Sequence, residues 1–211
     1  MKAVVIGSTG IIGGAVVTAL EGVGHEVVRA SRRGPLRVDL EQPDSVDALF
    51  AAVGPVDAVI VTAGSGALVP LLGSTEDELF TGLQGKLLGQ VRLVRRAVGS
   101  VRDGGSITLT SGAIPQVTTG ASFGALTNAG LDAFVRHAAL ELPRGVRLNA
   151  VSPGWVRETL VALGPEVRAE LEVDVAEGTP ASEVAEGYVE LVTGRETGRR
   201  GSWTATGWQL T

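Results

Sequence analysis

Short runs with the composition of strands alternate along this chain with longer stretches whose apolar residues recur every three or four positions. The runs at 3–6, 25–29, 36–38, 57–62, 106–110 and 146–151 read as strands, and the unbroken apolar character of 3–6 suits a strand buried on both faces. The stretches at 11–21, 43–53, 76–101, 123–142 and 183–192 read as helices, the second opening on Pro43 and the third carrying Leu79, Leu83, Leu87, Val91, Val94 and Val98. Residues 202–206 read as a last strand, and 159–180 as a loop with a short helix. Regular alternation of strand and helix predicts an α/β fold: a doubly wound parallel sheet in three layers, of Rossmann type. No repeat, low-complexity tract or linker divides the chain, so one domain is expected over residues 1–211.

The first strand runs directly into Gly7-Ser8-Thr9-Gly10-Ile11-Ile12-Gly13 and then into the first helix. Glycines in such a turn let the backbone approach a pyrophosphate, and the helix start offers it free N–H groups and a favourable dipole. The expected ligand of Gly7, Ser8, Thr9, Gly10, Ile11 and Ile12 is therefore a dinucleotide. The second strand ends on Ala30-Ser31-Arg32-Arg33, with no acidic residue to receive ribose hydroxyls. Ser31, Arg32 and Arg33 instead suit a 2′-phosphate, which makes the expected cofactor NADP(H).

Composition narrows the partners. The chain has 211 residues, 44% apolar and 19% charged, with a formal net charge of −5. That balance, with the basic residues scattered, argues against nucleic acid and against an anionic membrane surface. No apolar run is long enough to span a bilayer, and with no signal-peptide pattern visible none is expected. The absence of cysteine excludes disulfides, thiolate metal sites and a cysteine nucleophile, and fits a cytoplasmic protein. With only two histidines, His25 and His137, no dedicated metal site is expected. The partner is a small-molecule substrate.

Together these residues resemble the short-chain dehydrogenase/reductase family over nearly the whole chain. Asp39-Leu40 is similar to the family's segment beside the adenine, and Thr62-Ala63-Gly64 to the segment after its fourth strand. Leu109-Thr110-Ser111 resembles the strand end that bears the active-site serine. Gly145-Val146-Arg147-Leu148-Asn149-Ala150-Val151-Ser152-Pro153-Gly154 is the most specific likeness. The resemblance places Pro153 and Gly154 beside the nicotinamide and Thr159 near its carboxamide or the phosphates. It also implies a homodimer or homotetramer formed through the later helices. The glycine spacing of the first turn is that of divergent members.

The family's catalytic set is Asn, Ser, Tyr and Lys, and here the resemblance departs. Ser111 lies thirteen residues before Gly124, the family's separation between serine and tyrosine. Gly124 then stands at the tyrosine position, Asn128 at the lysine position, and Lys86 at the asparagine position. Ketone reduction needs a proton for the developing alkoxide, which glycine cannot supply. Asn128 can still donate a hydrogen bond to a ribose. Two readings stand at Lys86: a desolvated lysine replacing the lost one from the opposite wall, or a surface lysine on a long helix. Iminium ions or activated alkenes would need little acid. A non-redox isomerase, lyase or cyclase, or a non-catalytic NADP sensor or scaffold, also stays open. Thr118, Thr119, Ser122, Phe123 and Trp155 are expected near the substrate, Trp203 and Trp208 in packing or subunit contacts, and Tyr188 on a packing helix.

Overall fold

The computed structural model describes every residue except 65–67, 115–116 and 205–206. Among the described residues, eight strands form one sheet in the order β3-β2-β1-β4-β5-β6-β7-β8. The strands are β1 (Lys2–Ile6), β2 (Glu26–Ser31), β3 (Leu36–Arg37), β4 (Val56–Val61), β5 (Val101–Thr110), β6 (Arg147–Ser152), β7 (Arg200–Thr204) and β8 (Gly207–Leu210). All neighbours pair in parallel except β7 with β8. The predicted three-layer, doubly wound fold is thus the observed one.

Alternation of side chains along β1 divides the core. Val4 and Ile6 join Val59 and Val61 against α2 (Pro43–Val53), α4 (Gly89–Ala97) and α5 (Ser122–Ala138), through Leu49, Leu93 and Leu131. Ala3 and Val5 face the other way with Ala58 and Ile60. There α1 (Ile11–Gly22) contributes Val16 and Leu20, and α7 (Ala181–Thr193) contributes Val184, Tyr188 and Leu191. The order of strands reverses on either side of β1. Connections leave β1 and β4 in opposite directions and open a crevice at their carboxyl ends, the usual ligand position of such sheets.

Three predicted elements differ. The helix expected over 76–101 is three pieces: α3 (Glu76–Gly82), a π-helical segment (Leu83–Leu88) and α4. Four-residue leucine spacing hides the extra residue that a π turn inserts. Gly85 and Gly89 let this segment press on the loop before α2, since a Cβ at Gly89 would lie 2.8 Å from Leu40 Cβ and one at Gly85 2.8 Å from Glu41 Oε1. The loop expected over 159–180 is largely a helix, α6 (Arg157–Glu170), kinked where Gly164 adopts φ 80° before Pro165. Gly-Pro in its middle masked the pattern. A 3-10 turn (Val175–Glu177) follows. The last expected strand is β7, and β8 returns beside it; Thr206 lies outside the described residues. Trp203 and Trp208 pack with ring centroids 4.4 Å apart across this hairpin, in packing as expected.

Candidate functional site

The glycine turn sits at the end of β1. The N–H groups of Gly7 and Ser8 both donate to Ala30 O, at 2.9 and 3.3 Å, which ties the turn to the end of β2. Gly7 adopts φ 94°, and a Cβ there would lie 2.6 Å from Ala63 N. A side chain at Gly13 would strike the Gly7 carbonyl, so helix and turn approach as closely as bare backbone allows. Helix α1 starts at Gly10 with no side-chain cap and no acidic residue in its first turn. Its first N–H groups are left for an outside acceptor.

A cleft of about 400 Å³ opens from this turn. Gly7, Thr9 and Gly10 line it at the glycine turn. Ser31, Arg32 and Arg33 line it at the end of β2, Asp39 and Leu40 beyond them, and Thr62, Ala63 and Gly64 at the end of β4. Ser8, Ile11 and Ile12 belong to the same turn and first helical turn without lining the cleft. Thr62 is locked by its N–H and Oγ1, which both donate to Ile6 O at 2.8 and 3.0 Å. Ser31 is buried, and its Oγ has no partner among the described residues. Arg32 and Arg33 are exposed and, among the described residues, stand in no ion pair. A hydroxyl without a partner beside two unpaired guanidiniums fits a phosphate monoester. Asp39 Oδ1 accepts from Glu41 N–H at 3.1 Å, which shapes the loop.

Lys86 lies in the π segment and points inward. Its Nζ donates to Ser111 O at 2.6 Å and to Asn128 Oδ1 at 2.8 Å. Its aliphatic stem covers Gly64, where a Cβ would lie 2.9 Å from Lys86 Cγ. Burial depresses the ammonium from 10.5 to about 8, opposed by the negative charge of Asp132. Of the two readings of Lys86, the solvated surface lysine is removed. Ser111 directly follows β5, its N–H donates to Val151 O at 2.9 Å, and its Oγ is buried with no partner among the described residues. Asn128, on α5, packs over Gly112. Gly124 lies one turn earlier, and a Cβ there would stand 3.7 Å from Ile114 Cδ1.

Ile114 also lines a second cavity of about 390 Å³, with Thr118, Gly154, Trp155, Thr179 and Trp203 on its wall. Pro153 holds that wall, its carbonyl accepting from Ala113 N–H at 2.8 Å. Thr159 lies in the first turn of α6 and lines neither cavity. Of the residues expected near the substrate, Thr118 and Trp155 line this cavity. Phe123 packs edge-on against Phe80, and Thr119 and Ser122 are exposed. His137 is exposed on α5.

Two polar residues beside the site, Gln90 and Asp132, escaped the sequence reading. Gln90, one turn after Lys86, donates to Lys86 O and Thr110 O and accepts from Thr110 N–H. It fastens the π segment to the strand that ends in Ser111. Tyr188 is fully buried and pairs with Thr110 Oγ1 at 2.6 Å. Thr110 in turn donates to Val61 O, so the phenol is the donor to Thr110, and burial pushes its pKa up. The four-residue step from Lys86 to Gln90 and from Asn128 to Asp132 was the available signal.

A family model described as enoyl-(acyl carrier protein) reductase matches residues 12–193. Mouse L-xylulose reductase is 31% identical over 176 residues, covering 72% of this chain and 70% of that protein. Carbonyl reductase family member 4 of Danio rerio is 25% identical over 213 residues, 90% of each chain. Among solved structures, the protein lin1944 from Listeria innocua superposes with a TM-score of 0.88 at 32% identity, over 97% of this chain and all of that one. A small-chain dehydrogenase in complex with NADPH superposes with a TM-score of 0.82 at 28% identity, over 96% and 95%. The chain belongs to the short-chain dehydrogenase/reductase family, a family of oxidoreductases. Among its described residues, no helix is long and apolar enough to cross a membrane.

Proposed function

We propose that this chain is an NADP(H)-dependent oxidoreductase of a small organic carbonyl compound, with an active site built on Lys86 and Ser111 in place of the family's tyrosine and lysine. The observation that carries the cofactor is Ser31: a buried hydroxyl without a partner, between the glycine turn and the unpaired Arg32 and Arg33. The solved relative with NADPH supports the same nucleotide. Gly7, Ser8, Thr9, Gly10, Ile11 and Ile12 would hold the pyrophosphate, Ser31, Arg32 and Arg33 the 2′-phosphate, and Asp39 and Leu40 the adenine side. Thr62, Ala63 and Gly64, Asn128, Pro153, Gly154 and Thr159 would flank the nicotinamide half. Residues 1–211 would act as one domain, in a homodimer or homotetramer.

Bound there, the dihydronicotinamide supplies hydride. The chain's own residues answer the charge that hydride creates. A carbonyl oxygen becomes negative as its carbon is reduced, so a nearby cation and donor lower the barrier. An ammonium has three N–H groups, and Lys86 spends two on Ser111 O and Asn128 Oδ1. The third is left for the substrate oxygen or for a proton path to it. With a pKa of about 8, Lys86 is charged at neutral pH yet able to give up its proton. The free Ser111 hydroxyl orients the same oxygen, and the cavity walled by Ile114 and Trp155 receives the substrate body.

Two measurements test this reading. The doubly substituted protein Ser31→Asp, Arg32→Ala should lose affinity for NADPH by about tenfold or more, as one or two charge-assisted bonds are lost. It should keep or improve affinity for NADH; equal affinity for both nucleotides in both proteins refutes the NADP assignment. Deuteride transfer from labelled NADPH to a panel of small aldehydes and ketones should occur, and its complete absence returns the chain to a sensor or a non-redox enzyme.

A further inference from the structure

Asp132 lies four residues beyond Asn128 on α5, so the two project from one face of the helix, one turn apart. Its side chain is only 16% exposed. Oδ2 accepts from Arg200 on β7 at 3.3 Å, whereas Oδ1 is buried and has no partner among the described residues. A buried carboxylate oxygen without a donor is costly unless a positive charge faces it. The nearest such charge bonded on this face of α5 is the Lys86 ammonium, which donates to Asn128, the residue one turn back, and which the negative charge of Asp132 favours. The charged and polar groups on the elements packed about Lys86 are Asp132 on α5, with Arg200 of β7 bonded to it; Glu41, beside Gly85, in the loop before α2; and the Ser111 carbonyl just after β5, which accepts from Lys86.

We propose that Asp132 is a positioning residue of this site: its free carboxylate oxygen is the counter-charge that keeps the buried Lys86 ammonium protonated and turned toward Asn128 and Ser111. The proposal rests on Lys86 being the cation of the active site. The competing explanation is a bridge to Arg200 that merely joins α5 to β7.

The chain contains two lysines, Lys2 and Lys86, so protein labelled with 15N and 13C in lysine shows two side-chain amines. Lys2→Arg assigns them. Titration of the unliganded protein should give Lys86 a pKa near 8, and Asp132→Asn should lower it by roughly half a unit or more. Asp132→Glu should restore it, and Arg200→Met, which breaks the bridge but leaves the carboxylate, should not lower it. An unchanged Lys86 in Asp132→Asn, or an equal fall in Arg200→Met, overturns the proposal. Should Asp132→Asn not fold, the wild-type protein suffices. The Asp132 carboxyl carbon must then show an inflection where Lys86 titrates, and a flat trace refutes the counter-charge. No cofactor or substrate enters these titrations, so they succeed or fail separately from the reductase reading.

Discussion

Replacing Lys86 by methionine removes the charge at the centre of the site while keeping most of the side chain's bulk. The magnitude follows from its surroundings. Burial lowers the ammonium from 10.5 to about 8, a difference of 2.5 units. At 1.36 kcal/mol per unit, holding Lys86 charged in the folded state costs about 3 kcal/mol relative to its neutral form. Below pH 8 both folded and unfolded chains carry the proton, and the cost is present in full. Between pH 8 and 10.5 only the unfolded chain still binds it, so raising the pH favours the folded state. Methionine escapes this cost but leaves Ser111 O and Asn128 Oδ1 without their donor, at about 1–3 kcal/mol each. The terms nearly offset, and Lys86→Met should fall within about 2 kcal/mol of wild type at pH 7. Urea unfolding of both proteins at intervals from pH 7 to 10.5 should show wild type gaining about 3 kcal/mol over the variant as pH rises. Turnover should drop by about a hundredfold or more, while NADPH affinity changes little. Carbonyl reduction by wild type should itself decline as pH rises through about 8. Unchanged turnover in Lys86→Met refutes the catalytic role, and a stability difference independent of pH refutes the burial of its charge.

Two further substitutions probe the frame around the site. Gly13→Ala forces a methyl group onto the Gly7 carbonyl; it should cost about 1–3 kcal/mol in chemical denaturation and abolish NADPH binding by calorimetry. Tyr188→Phe deletes one donor to Thr110 Oγ1 but leaves that hydroxyl bonded to Val61 O. The melting transition should fall by the equivalent of about 1 kcal/mol with turnover unchanged, and lost turnover would mean that the tyrosine takes part in the chemistry.

How far the sequence could be read depends on how local each signal is. Strands β1 and β4 are buried on both faces, so their apolar runs stand out, and the glycine turn is marked by its place between a strand and a helix. The π segment was invisible because Leu79, Leu83, Leu87 and Val91 keep a helical spacing across it. Its cause is tertiary: Gly85 and Gly89 press on Glu41 and Leu40, which lie more than forty residues away. Gln90 and Asp132 were passed over for a related reason. A lone polar residue on an amphipathic helix reads as solvated until the strand that buries it is known.

The same limit explains why Lys86 could be placed but not decided, and why its partner matters. On the proposed alignment, lysine and asparagine have exchanged positions between the π segment and α5. An exchange between elements so far apart in sequence looks disabling when each position is judged alone. In space the two side chains touch, with 2.8 Å between Lys86 Nζ and Asn128 Oδ1. Exchanging them displaces the positive charge by about the length of one hydrogen bond. It leaves the charge against the same strand end, where the Ser111 hydroxyl waits for a partner. The exchange does not restore the phenol that Gly124 cannot provide. On the proposed reading proton delivery falls to the displaced ammonium, which is why its protonation, and the carboxylate of Asp132 that favours it, should set the pH limit of the reaction.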